Sequence, residues 1–441
     1  MSRFSTFVGL TVLAVLAGCI PTEPSSQENA ISDVESISSV PLRLWIVSPV
    51  SDVSRVERQW RTGSEQPLEI RTFSVAEFLS ESTCACDVVI FPARSLGELI
   101  DRQWVIKLPS ALASADTTDS AVSIQNAAWQ NQVAYNGETW GVPLGTSIPV
   151  VVVSNAEKFK QAPELNWKEL LDSLPATDVK LVQFDPAVID RTALVDRFFA
   201  IAGGLIDRSP DYGLLFELQT MKPRLTEPEF IRAAEILIQL SSQGAGNDVS
   251  GQSMVGSFSQ SWSWLSAQPS FAVTLVAPSM LTADNSTESN GYAVRVPPSA
   301  MGWNTGSGLI GSISANCRQS TRATSLLRWL GLAETRQALT PLILGIESGA
   351  PIAASDSAVW QATSLAREMA AGERVTQELR LARAEEYRNA LAASLLDILS
   401  GKRSSLEALS ATSEAWQAIT NSRGRLVQRA DYEHSLGLSR D

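Results

Sequence analysis

Between residues 42 and 108 apolar runs of strand length alternate with stretches of helical character, and this alternation limits the fold more than any other feature. Leu42-Arg43-Leu44-Trp45-Ile46-Val47 reads as a strand stopped by Ser48-Pro49, and Val53 to Arg61 as a helix. Leu68 to Phe73 is a second strand and Val75 to Ser80 a second helix. Asp87-Val88-Val89-Ile90-Phe91 is a third strand, followed by a helix from Leu96 to Arg102. Strands separated by helices build a parallel sheet with the helices laid on its faces. The third strand lacks polar alternation, as a strand covered on both sides should. The fold class is therefore α/β.

The pattern continues more loosely. Thr139 to Ser154 is rich in strand formers, with Pro149-Val150-Val151-Val152-Val153 at its centre. Helical stretches follow at 167–174, 190–202 and 228–242, and further strands at Phe271–Ala277 and Leu309–Ile313. In Ser320–Leu330 the residues Leu326, Leu327 and Leu330 fall on one side of a helix. From Asp356 to Thr420 the chain is largely helical, broken near Gly401. A chain of 441 residues, 44% of them hydrophobic, is long enough for two or three domains with real cores.

The amino terminus reads as an address. Arg3 precedes an apolar run from Phe7 to Gly18, and a Pro/Ser/Glu-rich stretch follows it. This is the layout of a secretory signal. The run is shorter than the ~20 residues that a membrane-spanning helix needs. Leu16-Ala17-Gly18-Cys19 resembles a bacterial lipobox. That resemblance implies cleavage before Cys19 and a lipid on its sulfur, so that residues 1–18 are a signal peptide and 19–41 a lipidated, flexible tether reaching ~25 Å. The expected location is outside the cytoplasm, on a membrane that the sequence does not specify.

Several chemistries are excluded by scarcity. The one histidine, His434, lies near the carboxyl terminus. Ser-His-Asp and Cys-His catalysis, and most zinc sites, need histidines or more cysteines than this. No catalytic residue, metal or cofactor is expected. Gly306-x-Gly308-x-x-Gly311 fits a dinucleotide-loop pattern but runs into a strand, so it is set aside. A net charge of −12 argues against nucleic acid as partner. Cys84 and Cys86 are too close in sequence to bridge without strain. Pairing of one of them with Cys317, or three free thiols, are the alternatives.

Ordered short motifs then give a resemblance. Asp87-Val88-Val89 is followed by Leu96-Gly97-Glu98-Leu99 and Trp104-Val105-Ile106-Lys107-Leu108. Trp140-Gly141-Val142-Pro143 precedes Val151-Val152-Val153-Ser154-Asn155, Phe159 and Trp167-Lys168-Glu169-Leu170. Gly308 to Ser314, Leu326 to Leu330, Tyr387-Arg388-Asn389 and Leu406 to Trp416 complete the series. In this order they resemble the family 1 extracellular solute-binding proteins of ABC importers, the maltose-binding-protein-like class. Two departures concern the ligand more than the fold: Ser154-Asn155 stands where the family has Tyr-Asn, and Met254 to Phe258 fits its segment loosely.

The resemblance implies a two-lobed periplasmic-binding-protein fold, type II-like, with hinge-connected lobes and a helical carboxyl-terminal region. Residues 42–147 with 278–340 would form lobe 1, and 148–277 with 341–441 lobe 2, the chain crossing near Thr146–Pro149, Phe271–Pro278 and Leu339–Gly345. The implied function is capture of a small solute, a sugar favoured, in the cleft and its delivery to ABC permease subunits by a monomeric receptor tethered through Cys19. Sensing for a signalling partner and a secreted glycoside-acting enzyme are the alternatives. Twelve tryptophans against five tyrosines suit stacking on sugar rings. Trp262, Trp264 and Trp303 are the aromatic candidates, with Trp45 and Trp140 behind them. Ser48 after the first strand, Arg94 after the third, Asn304 beside Trp303, and Thr146 and Ser147 at the first crossing supply polar groups.

Overall fold

The computed structural model describes residues 40–47, 53–108, 127–145, 148–154, 180–181, 191–206, 213–242, 272–276, 292–295, 302–332, 335, 339 and 375–438. The chain opens with β1 (Leu42–Val47), α1 (Val53–Arg61), β2 (Leu68–Phe73), α2 (Val75–Ser80) and β3 (Val88–Pro92). A 3-10 turn, Ala93–Ser95, leads into α3 (Leu96–Asp101). β1 lies between β2 and β3, parallel to both, with Leu42 opposite Leu68 and Leu44 opposite Val88. Then come α4 (Ala127–Val133), the hairpin of β4 (Ala134–Tyr135) and β5 (Glu138–Thr139), and β6 (Val142–Pro143). Asn136-Gly137 turns the hairpin with φ of 51° and 70°, as a tight two-residue turn requires.

A second sheet follows, built from β7 (Val150–Ser154), β8 (Lys180–Leu181), β9 (Ala272–Val276) and β10 (Tyr292–Arg295), in the order β10-β7-β9-β8. β10 pairs antiparallel with β7. It therefore belongs with the second sheet, on the far side of the 277/278 boundary expected from the sequence. Between β8 and β9 lie α5 (Arg191–Gly203) and α6 (Pro228–Ser242). Helix α5 is buried all round from Ala193 to Gly203, the pattern of a central helix.

The chain then returns to the first sheet through β11 (Gly302–Asn304) and β12 (Leu309–Ile313). β12 inserts antiparallel between β3 and β6, giving the order β2-β1-β3-β12-β6. α7 (Ser320–Gly331), β13 (Val375–Gln377), α8 (Ala384–Leu399), α9 (Ser405–Arg423) and α10 (Arg425–Ser435) complete the described chain. β13 pairs parallel with β11. The break expected near Gly401 separates α8 from α9, and Gly401 has φ of 68°.

Both faces of the first sheet are covered. Leu42, Leu44, Ile46, Val88 and Ile90 pack with Val56 and Trp60 of α1 and Leu326, Leu327 and Leu330 of α7. Trp45, Val47, Val89 and Phe91 point the other way, onto Phe78 of α2 and Leu96 and Leu99 of α3. This is the strand pleat at work. A separate helical core joins α5, α6, α8 and α9 around Phe198, Phe199, Phe230, Tyr387, Leu391 and Trp416.

Candidate functional site

Strand directions gather one edge of the first sheet. β1 and β3 are parallel, so their carboxyl ends lie together. β12 runs against β3 with Leu309 opposite Pro92, which brings its amino end to the same edge. β6 runs against β12 with Pro143 opposite Ile310, so its carboxyl end returns there as well. Val47, Arg94, Gly145 and the loop Asn304–Gly308 consequently share this edge. In α/β proteins ligands bind outside the carboxyl ends of the parallel strands.

The loop is tied down by backbone. Ala93 N donates to Gly308 O at 2.9 Å, Arg94 N to Gly306 O at 3.0 Å, and Leu144 N to Leu309 O at 2.9 Å. Gly306 has φ of 65°, and a Cβ on it would come within 2.9 Å of Arg94 Cβ. Glycine is the residue that tolerates both constraints.

A buried polar network radiates from the loop. Arg94 donates from Nε to Glu385 Oε1 at 2.6 Å and from Nη1 to Ser307 Oγ at 3.0 Å. Ser307 Oγ donates to Asp196 Oδ2 at 3.1 Å. Arg388 donates to Asp196 Oδ1 at 2.7 Å, to Thr192 O at 3.1 Å and to Glu378. Asn304 Nδ2 donates to Gln132 Oε1 at 3.2 Å and Gln377 Oε1 at 3.0 Å. Gln132 Nε2 in turn donates to Gly145 O at 2.7 Å. Elements of the first sheet (β3, α4, β12) are thereby joined to α5, α8 and β13.

The electrostatics follow from burial. Arg94, Asp196, Arg388 and Glu378 are all 6% exposed or less, and charges that deep must be paired. Burial pushes the Asp196 carboxyl above the usual carboxylate range, against the opposing pull of Arg388 and Arg94. Next to the network, Arg380 sits among main-chain carbonyls, donating to those of Asn131, Gln132, Ala134 and Ser435. Burial lowers it to about 10. It covers the carboxyl end of α4, where cations are favoured. The single histidine, His434, lies elsewhere, edge-on to Tyr135 at 6.0 Å between ring centroids. Among the described residues no group of three or more His, Cys, Asp or Glu side chains could hold a metal.

The expected ligand residues divide. Arg94 and Asn304 lie at the edge but inside the network, both buried, so they hold the loop in place from within. Ser48, Thr146, Ser147, Trp262, Trp264 and the anchor Cys19 lie outside the described residues; Val47 and Gly145, the sequence neighbours of Ser48 and Thr146, are at the edge. Trp45, Trp140 and Trp303 are not offered to it. The strand pleat carries the Trp45 ring to the α2–α3 face, where it meets Phe73 at 4.8 Å and Phe78 at 6.3 Å. Trp140 enters the opposite end of β6, and its indole N–H donates to Tyr135 O at 3.0 Å. Trp303 is 2% exposed and stacked on Phe199 at 4.8 Å and 12°. It covers Gly203, whose added Cβ would meet the ring at 3.1 Å. Among the described residues its indole N–H has no acceptor.

Sequence reasoning missed Gln132, Asp196, Ser307, Gln377, Glu378, Glu385 and Arg388. A signal existed for one of them: Asp196 and its neighbour Arg197 interrupt an otherwise apolar stretch of α5, and a carboxylate on a helix buried all round needs a cation. Arg388 was visible only as part of a family motif, and Ser307 only as the middle of a glycine pair.

Comparison with known proteins agrees with this architecture. The family model of the bacterial extracellular solute-binding proteins matches residues 79–366. No curated protein matches the chain in sequence. Solved structures match over most of its length. The sugar-binding protein MalE of Xanthomonas citri superposes with a TM-score of 0.60 at 12% identity, over 88% of this chain and 99% of that one. An ABC transporter solute-binding protein of Agrobacterium radiobacter, in complex with ribitol, gives 0.59 at 14% over 87% and 99%. The maltose–maltodextrin binding protein of Alicyclobacillus acidocaldarius gives 0.56 at 16% over 86% and 100%. The fold is that of the two-lobed periplasmic binding proteins. With its own sequence matched over more than half its length and its architecture shared, the chain belongs to the bacterial extracellular solute-binding proteins.

Proposed function

We propose that this protein is a monomeric receptor, tethered outside the cytoplasm by a lipid on Cys19, that captures a sugar or polyol between its lobes and passes it to an ABC import permease. The observation that carries the reading is the shared edge, where β1, β3, β6 and the Asn304–Gly308 loop converge beside Arg94 and Asn304. Support for the ligand class comes from structures of the same fold solved with ribitol and D-mannitol. Ser48, Thr146 and Ser147 complete the polar side of this proposed cleft, and Trp262 and Trp264 supply the flat apolar faces that sugar rings stack on. Trp303 acts from beneath, holding Asn304 in place through its stack on Phe199.

A thermal-shift screen tests the reading. Ribitol, D-mannitol, D-tagatose and maltose are added to the purified protein. A true ligand stabilises by about 2.7 kcal/mol at a hundredfold excess over its Kd, and Asn304→Ala removes that shift while leaving the circular dichroism unchanged. If no sugar or polyol raises the melting temperature, the ligand class is rejected. Separately, Cys19→Ser is expected to move the protein from the membrane to the soluble fraction and to abolish palmitate incorporation. Retention on the membrane would reject the anchor.

A further inference from the structure

Cys84 and Cys86 sit in the turn that feeds β3, and both are fully buried. Their Sγ atoms are 3.3 Å apart. The sequence spacing argued that a direct bridge would be strained, yet the folded turn brings the two thiols into contact. The turn is held on every side. Cys84 O accepts from Ser314 Oγ at 3.0 Å and from Asn316 Nδ2 at 3.2 Å. Ala85 O accepts from Arg43 Nη1 at 2.9 Å. Asp87 N donates to Arg43 O at 2.9 Å, and Ser314 N to Asp87 O at 3.1 Å. Cys317 is placed differently. It packs against the α1–α7 core, whereas Cys84 and Cys86 belong to the α2–α3 core on the other face of the sheet.

We propose that Cys84 and Cys86 are a modification site: an intrachain disulfide that closes as the secreted chain folds and leaves Cys317 reduced. An S–S bond is about 2 Å long, so the thiols need approach by only roughly 1 Å more. The family works outside the cytoplasm, where disulfides persist. The oxidant is a protein or low-molecular-weight disulfide. The Cys84 thiolate attacks one of its sulfurs and expels the other as a thiolate, giving a mixed disulfide. Cys86 then gives up its proton and attacks Cys84 Sγ, expelling the second thiolate. Two thiols are oxidised to one disulfide, and the two electrons reduce the exogenous disulfide to two thiols. In the folded turn both thiols are fully buried, so the exchange with the exogenous disulfide belongs to the folding chain, before the turn closes over them.

The test is peptide mapping of the full chain, exported to the periplasm, purified without reductant and alkylated under denaturing conditions. Trypsin releases both cysteines in one peptide, Thr72–Arg94. The expected result is that this peptide carries no alkyl group and is lighter than the dithiol by two hydrogen atoms, while Cys317 is alkylated. Dithiothreitol before alkylation should restore both sites. Cys317→Ser should leave the light peptide unchanged, and Cys84→Ser should make Cys86 alkylatable. Should Cys84→Ser fail to accumulate, the Cys317→Ser map still decides. Full alkylation of Thr72–Arg94 without reductant, or its cross-link to the peptide containing Cys317, would overturn the proposal.

Discussion

Arg388 serves two carboxylates at once, Asp196 at 2.7 Å and Glu378, with all three side chains at 3% exposure or less. Removing one member of such a cluster leaves uncompensated charge in a medium that solvates it poorly, a loss of about 3–5 kcal/mol. Arg388→Met is expected to destabilise the protein by that amount in urea titration. A change below about 1 kcal/mol would mean that water reaches the pair. Asp87 gives a prediction with a sign in pH. Burial alone would raise its carboxyl, but hydrogen bonds from Arg43 and Arg318 N outweigh this and hold it below the usual range. A carboxyl depressed on folding contributes stability that is complete above its unfolded pKa, near ~3.9. That contribution is lost as pH falls through the folded value. Asp87→Asn should therefore cost stability at pH 7 and progressively less below about pH 4. An equal loss at pH 7 and pH 3 would contradict it. Asp196 and Arg197 inside the apolar α5 announce buried charge, but nothing in the sequence says that the partner of Asp196 is Arg388, because the pairing depends on how α8 packs on α5.

Among elements, α9 is started by a capping box. Ser404 Oγ accepts from Glu407 N at 3.3 Å while the Glu407 carboxylate accepts from Ser404 N at 3.0 Å. Ser404→Ala should cost about 1 kcal/mol, read from the urea midpoint. A harsher contact lies at the start of α3. A Cβ on Gly97 would stand 1.9 Å from Arg380 O, and Arg380 cannot retreat without breaking its hydrogen bonds to α4 and to Ser435. Gly97→Ala is expected to cost about 1–3 kcal/mol or more by overpacking. Gly63→Ala, where nothing lies within 4 Å, should be nearly neutral. Equal melting temperatures for the two variants would show that the approach of α3 to the Arg380–Leu381 backbone is slack. The longer elements were readable because β1, β3, α6 and α7 each carry a full period of apolar residues. The hairpin of β4 and β5 was not, since two-residue strands carry too little pattern. Nor was the β11–β13 pair, because its register is set by chain segments far apart.

At the scale of the whole molecule, the α/β alternation implied the first sheet, and the family motifs implied a second lobe. The part played by the last helix was invisible. α10 is amphipathic and polar in composition, so its contacts could not be assigned from sequence. In the structure it holds two regions together. Its Tyr432 hydroxyl accepts from Leu215 N at 3.3 Å, and its ring packs on Phe216 at 5.4 Å, within the helical core. Asp431 O accepts from Tyr135 Oη at 3.1 Å, and His434 O from Asn136 N at 3.0 Å, at the β4–β5 hairpin. Gln428 donates to Ala382 O at 3.1 Å, and Ser435 O accepts from Arg380. Ending the chain after Gly424 would strip these partners together, leaving Arg380 with one carbonyl fewer and opening the face on which Phe216 and Trp416 stack at 5.2 Å. Buried backbone groups without partners cost about 1–3 kcal/mol each, so the truncated protein should melt several degrees lower. Hydrogen exchange should accelerate at residues 134–139 and 213–216 in concert, because one helix serves both. Acceleration confined to the helical core would show instead that the hairpin is held by the first sheet alone.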